Sequence, residues 1–447
     1  MILAVAAAVM LLVAGGGLIV VAQGLDQPPT STTTPVVAAP PTTVPGPPGT
    51  TAAPSQPGAM ADRIRQIEDR VEEVRELEFK REVPSEIVPT SQLVAKLLAE
   101  VDKETNVADL RSQTRALVTL GQIPAGTDLV TLLRAVQAES VLGFYVPGTG
   151  PDKGRLFVRS EGGLTPFAEW VLSHELTHAL TDQHFDLSRA DRLEAQGRDD
   201  ELLAYTALVE GDATLTMQQY LISQMDPASR AAVAREGLNQ STPRLDKAPA
   251  VIRESLSFPY DAGLEFVTAL YRRGGWEAVN QAYRDPPISS EQILHPDKYL
   301  KRDRPTAVAV PDLAKRLGAG WKRGTDVGWG EFDTSLLLGD EVPVTAARGA
   351  AAGWDGGRLR TFERGNSTAM VLRTAWDSAG EATEYCRVTG RWARARFGSG
   401  RGAGSGVTRY AGDGQQAALV CKGTRAAWLT APDQASLARL QAGLGGP

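Results

Sequence analysis

Residues 171–186 read VLSHELTHALTDQHFD, and the five at the centre, His174, Glu175, Leu176, Thr177 and His178, decide how the rest of the chain is read. Wound as a helix, this segment projects two histidines from one face, one turn apart, with a glutamate beside them. Neutral imidazoles so placed supply two of the three protein ligands of an open zinc site. The fourth position holds a water whose pKa falls to about 7, and the adjacent carboxylate can take its proton. The pattern points to Zn2+ and to hydrolysis of a polarised carbonyl. With only four histidines in the chain, chance is a poor account of this spacing. A solvated helix face explains neither the spacing nor the apolar neighbours Phe167, Trp170, Val171, Leu172, Leu176 and Leu180.

A third protein ligand is required, and two residues compete for it. Glu210 lies in ELLAYTALVEGDATLTMQQYLI, a helical pattern over residues 201–222, on a face shared with Leu203, Ala207, Met217 and Leu221. A carboxylate buried there without a partner is costly, and a metal resolves the problem. Gly211 and Ala213 beside it would let this helix approach the histidine helix closely. The rival is His184, because His174, His178 and His184 also match the H-E-x-x-H-x-x-G-x-x-H spacing of the metzincins. That pattern breaks the helix at a glycine, where this chain has Thr181; on an unbroken helix His184 points away from the other two.

With those residues in place, the chain resembles the gluzincin zinc metallopeptidases over roughly residues 141–222, at His174, Glu175, His178 and Glu210. The resemblance implies a mostly helical, zincin-like catalytic domain of α+β class, with a small β-hairpin or sheet before the active-site helix. It also implies metal ligands His174, His178 and Glu210, with Glu175 as general base. Gluzincins often carry a residue downstream of the glutamate ligand that stabilises the oxyanion. His295 is the first candidate for that role, with Tyr260 and Tyr299 behind it. Many gluzincins place an aspartate four residues after the glutamate ligand; here that position is Thr214, so Asp212 or Asp182 would have to serve instead.

Outward from this centre, the run VLGFYVPGTGPDKGRLFVRS reads as a hairpin whose edge strand could pair with an extended peptide. Upstream, helices are expected at residues 60–78 (on the stripe Ile64, Ile67, Val71, Val74), 90–101, 107–121 and 128–139, with a strand at 77–83. Downstream, residues 246–300 are helix-rich, and Gly263, Gly274 and Gly275 suit close packing and helix ends. Residues 316–447 turn to glycine, arginine and short β-like runs: TSLLLG, TAMVLRTAW, RWARARF, TRYAG, QAALVCKG and RAAWLTA. Helical stretches near 378–385 and 433–444 complete a small C-terminal α+β module.

The first 22 residues, MILAVAAAVMLLVAGGGLIVVA, carry no charge, and residues 26–59 are rich in proline and threonine. Residues 1–25 are expected to be a transmembrane anchor or a signal segment, and 26–59 a disordered linker. Residues 60–315 would form the catalytic domain. The chain would then sit in the cell membrane as a single-pass protein with its catalytic part outside the cytoplasm, or be secreted if the segment is cleaved. Net charge is −6 without a basic stripe, which excludes nucleic acid as the natural partner. Cys386 and Cys421 lack metal-ligand spacing and could be bridged or remain two buried thiols.

The expectation is therefore a membrane-anchored or secreted zinc peptidase acting on peptide or protein substrates. The competing expectation is a non-catalytic cell-surface binding protein with a structural or degenerate zinc site.

Overall fold

The computed structural model describes residues 10–13, 57–104, 106–148, 154–161, 163–404 and 406–447. The linker falls outside these except for its last residues, and so does most of the uncharged N-terminal run. The described part of that run, Met10–Val13 (β1), is a strand. Its backbone is extended and paired with a neighbouring strand, not the internally bonded helix of a single-pass span. Among the described residues no helix is long and apolar enough to cross a membrane, which overturns the single-pass placement.

Pro57–Arg75 (α1) is the first helix, and the buried stripe of Ile67, Val71 and Val74 seats it on the main core. The strand expected at 77–83 is displaced to Ser85–Val88 (β2), between Pro84 and Pro89. Proline has no N–H to give a ladder, so the strand occupies the stretch that the two prolines bracket. Thr90–Glu104 (α2), Val107–Leu120 (α3) and Leu129–Ser140 (α4) follow as the caps dictate: Asn106 and Asp128 accept amide hydrogens at helix starts, and Gly121 closes α3 in the left-handed region.

Val141–Val146 (β3) and Arg155–Arg159 (β4) form the expected antiparallel hairpin. β2 adds parallel to β4, and β1 adds antiparallel to β3, giving the order β1-β3-β4-β2. The outer edge of β3 is thus taken by β1 rather than left open. All six residues of β3 are buried because α2 covers one face of the sheet and Pro166–Phe185 (α5) the other.

α5 starts at the side chain of Thr165 and at Pro166, and is buried almost throughout. Arg189–Ala195 (α6) leads into Asp199–Ser223 (α7), which is equally enclosed. Helices without a polar face belong at the centre of a fold, and these two form the middle of this one. Pro227–Gly237 (α8) and Pro243–Asp246 (α9) precede the long Ala250–Arg284 (α10), which bends at Gly274 and Gly275 as the paired glycines suggest. α7 and α10 touch backbone to backbone. A Cβ on Gly211 would lie 2.2 Å from the Gly263 carbonyl oxygen, and one on Gly263 would lie 2.1 Å from that of Ala207. Gly211 therefore serves the contact with α10, not the expected approach to the histidine helix. α1 is tied to the same pair by a fully buried guanidinium: Arg75 reaches Asp212 at 2.8 Å and Asn280 at 2.8 Å, and lies over Trp276.

Ser290–Leu294 (α11), Pro296–Leu300 (α12) and Ala314–Leu317 (α13) lead to the second sheet. Its strands are Lys322–Gly328 (β5), Trp354–Arg364 (β6), Ser367–Trp376 (β7), Arg401–Gly402 (β8), Val407–Gly412 (β9), Gln415–Lys422 (β10) and Arg425–Ala431 (β11), all antiparallel in the order β5-β6-β7-β11-β10-β9-β8. Two runs read as β-like are helical: TSLLLG lies in Glu331–Gly339 (α14) and RWARARF ends Ala379–Phe397 (α16), with Val344–Ala351 (α15) between them in the chain. In α16, Tyr385, Val388 and Trp392 form an apolar stripe at helical spacing, and packing against the sheet outweighs local β propensity. Gln434–Leu444 (α17) and α13 cover the opposite face. Cys386 and Cys421 are bridged, pinning α16 to β10. The architecture is α+β, and one continuous core runs from Ile67 in α1 to Trp428 in β11.

Candidate metal centre

His174 and His178 stand one turn apart on α5, and Glu210 faces them from α7. The His174 Nε2 to His178 Nε2 distance is 3.1 Å, His174 Nε2 to Glu210 Oε2 is 3.2 Å, and His178 Nε2 to Glu210 Oε2 is 3.4 Å. A tetrahedral ion with bonds of about 2.0–2.1 Å sets its ligand atoms about 3.3–3.4 Å apart. The three donor atoms thus already form a triangle of the size such an ion requires. This is the one group among the described residues with the donors and spacing to hold a metal ion.

The electrostatics suit the same use. Both imidazoles are fully buried and Glu210 is nearly so. Burial pushes the His174 ring down to about 4, leaving it neutral with a lone pair to give. Burial alone would raise the Glu210 carboxyl, but the two histidine rings beside it outweigh that and draw it down to about 2. Two imidazoles and one carboxylate are a donor set that borderline cations such as zinc accept.

Glu175 is fully buried next to this group, and β3 is shaped to leave it room. A Cβ on Gly143 would sit 3.0 Å from both Cγ and Oε1 of Glu175. This role of Gly143 was not foreseen, although an isolated glycine within the strand pattern VLGFYV is a known sign of close approach. Tyr260 on α10 stacks near His174, with ring centroids 6.4 Å apart.

The other expected residues are placed elsewhere. His184 donates from Nε2 to the Glu78 carbonyl oxygen at 2.8 Å, outside the cluster. His295 donates to Glu331 Oε1 at 2.9 Å, and that hydrogen bond raises its pKa. It borders a cavity along the α10 face bearing Phe258 and Asp261, whereas Tyr260 leaves the helix on the side facing His174. None of His174, Glu175, His178 and Glu210 lines that cavity. Tyr299 donates to the Asp285 carbonyl oxygen.

Neither aspartate suggested as a histidine partner serves in that way. Asp212 receives Arg75 and the Tyr283 hydroxyl, and Asp182 receives the Tyr145 hydroxyl and the Gly148 and Leu187 amides. The Nδ1 atoms of His174 and His178 are buried without hydrogen-bond partners among the described residues. This departs from the usual arrangement, in which a ligating histidine donates through its second nitrogen.

A domain family described as Domain of unknown function (DUF8575) matches residues 316–441, which carry the second sheet and not the metal group. No curated protein and no solved structure matches the chain.

Proposed function

We propose that the chain is a zinc-dependent peptidase of zincin-like architecture, hydrolysing peptide bonds through a metal-activated water with Glu175 as general base. The observation that carries this reading is the triangle of His174, His178 and Glu210 donor atoms, 3.1–3.4 Å on a side, with Glu175 adjoining it on the same helix. A zinc ion there would supply a water of lowered pKa and a Lewis-acid contact for the scissile carbonyl. Glu175 takes the proton from the attacking water and delivers it to the departing amine nitrogen. The Tyr260 phenol, whose ring lies 6.4 Å from that of His174, is the candidate donor for the developing oxyanion. Met10–Val13 holds the outer edge of β3, so an extended substrate would pair with β3 only by displacing that strand.

Only three protein ligands converge among the described residues, which favours a centre with an open position over a structural four-ligand site. The test is Glu175→Gln assayed on a peptide library. Zinc content should stay at the wild-type level while turnover falls by roughly 10²–10⁴-fold, the usual worth of a general base. Unchanged turnover in that variant removes Glu175 from the reaction.

A further inference from the structure

On the face of α10 that carries Phe258, Asp261 and Glu265, a cavity of about 860 Å³ opens against α14 and α15. This volume falls in the range of small-molecule sites. Five carboxylates line it against two guanidinium groups and one imidazole. Arg253 pairs with Glu254 at 3.2 Å, which leaves four carboxylates against one guanidinium and one imidazole. The wall is therefore acidic.

Glu331 distinguishes this cavity from an ordinary acidic surface. It is only 4% exposed, and its Oε1 accepts from His295. Its Oε2 is buried without a hydrogen-bond partner among the described residues. A carboxylate oxygen so placed is costly to leave without a donor, and a donor entering through the cavity would satisfy it. Much of the rest of the wall is apolar or aromatic. Phe258 and Phe332 pack with ring centroids 4.4 Å apart, and Leu294 and Val344 are exposed at the rim. Aromatic faces attract cations, and an apolar rim favours a ligand with a hydrophobic body.

We propose that this cavity binds a small organic cation, an ammonium or guanidinium group on an apolar body, with the cationic head on Glu331 and the body against Phe258 and Phe332. The site stands apart from the metal group and does not depend on the peptidase reading.

The test is calorimetric titration of the full chain with benzylamine, and with benzyl alcohol as the neutral probe of the same shape. Benzylamine should bind at least about tenfold more tightly, the gain expected of a charge-assisted hydrogen bond. Glu331→Gln should abolish that preference. Gly349→Trp should weaken both probes while leaving Glu331 intact, since a Cβ at Gly349 meets no atom within 4 Å and the ring can enter the open space. Thermal melts establish that each variant is folded. Equal binding of the two probes by the wild-type chain, or full retention of benzylamine by Gly349→Trp, would overturn the assignment. If Glu331→Gln fails to fold, the wild-type comparison and Gly349→Trp still decide it.

Discussion

Glu210 and Asp212 lie two positions apart on α7 and are buried for different ends. Glu210 turns to two imidazoles, whereas Asp212 is held by the Arg75 guanidinium and the Tyr283 hydroxyl. The first role is legible in sequence, because an acid on an apolar helix face needs a cation and the histidines are the obvious source. The second is not, because its partner lies 137 residues away and nothing local to Asp212 announces it. Asp200, at the start of the same helix, shows what burial does to a carboxyl group. Burial raises its carboxyl from 3.8 to about 7, a hydrogen bond from Ser290 opposes this, and Asp333 adds to it. Between those values the folded chain keeps a proton that the unfolded chain has released, so stability falls as pH rises through the window. Asp200→Asn retains an acceptor for the Ser290 amide and removes the ionisation. The wild-type urea midpoint should drop relative to the variant's between pH 4.5 and 7.5, by the equivalent of up to about 3 kcal/mol at roughly 1.4 kcal/mol per pH unit. Parallel pH profiles would contradict this account of Asp200.

The elements around the site were foreseen where a cap or a stripe defines them. Asp128 starts α4 and Gly121 ends α3, at the bounds expected of those helices. The misreadings occur where tertiary packing chooses between two local options, as in TSLLLG and RWARARF, which are apolar enough for a strand yet fold as helices. The partner of Gly211 was missed for a related reason. A small residue marks a close crossing but does not say which helix crosses, and here it is α10. Exposed glycine to alanine changes inside helices gain about 1 kcal/mol of propensity. At Gly263 the added methyl would meet the Ala207 carbonyl oxygen at 2.1 Å, and prising apart α7 and α10 costs about 1–3 kcal/mol or more. Gly263→Ala should therefore lower the denaturation midpoint and, by shifting α7, loosen metal binding. A more stable variant would show that the two helices are not held at this distance.

At the scale of the whole molecule, the α+β class and the hairpin ahead of the histidine helix follow from hydrophobic periodicity and turn residues. The breadth of the second sheet does not. β6 begins WDGG and β5 is mostly polar, so neither carries a strong strand signal until the sheet supplies partners, β5 and β7 for β6 and β6 alone for the edge strand β5. The N-terminal run shows the limit of composition: absence of charge suited a membrane span, but the part of it described is a strand beside β3. Through all of this the fold converges on one feature, two enclosed helices that bring His174, His178 and Glu210 to a common point. The most direct test is the zinc content of the purified chain compared with Glu210→Ala and His184→Ala. One zinc per chain in the wild type and in His184→Ala, with almost none in Glu210→Ala, is the predicted result. Full zinc in Glu210→Ala, or its loss in His184→Ala, would contradict the centre described.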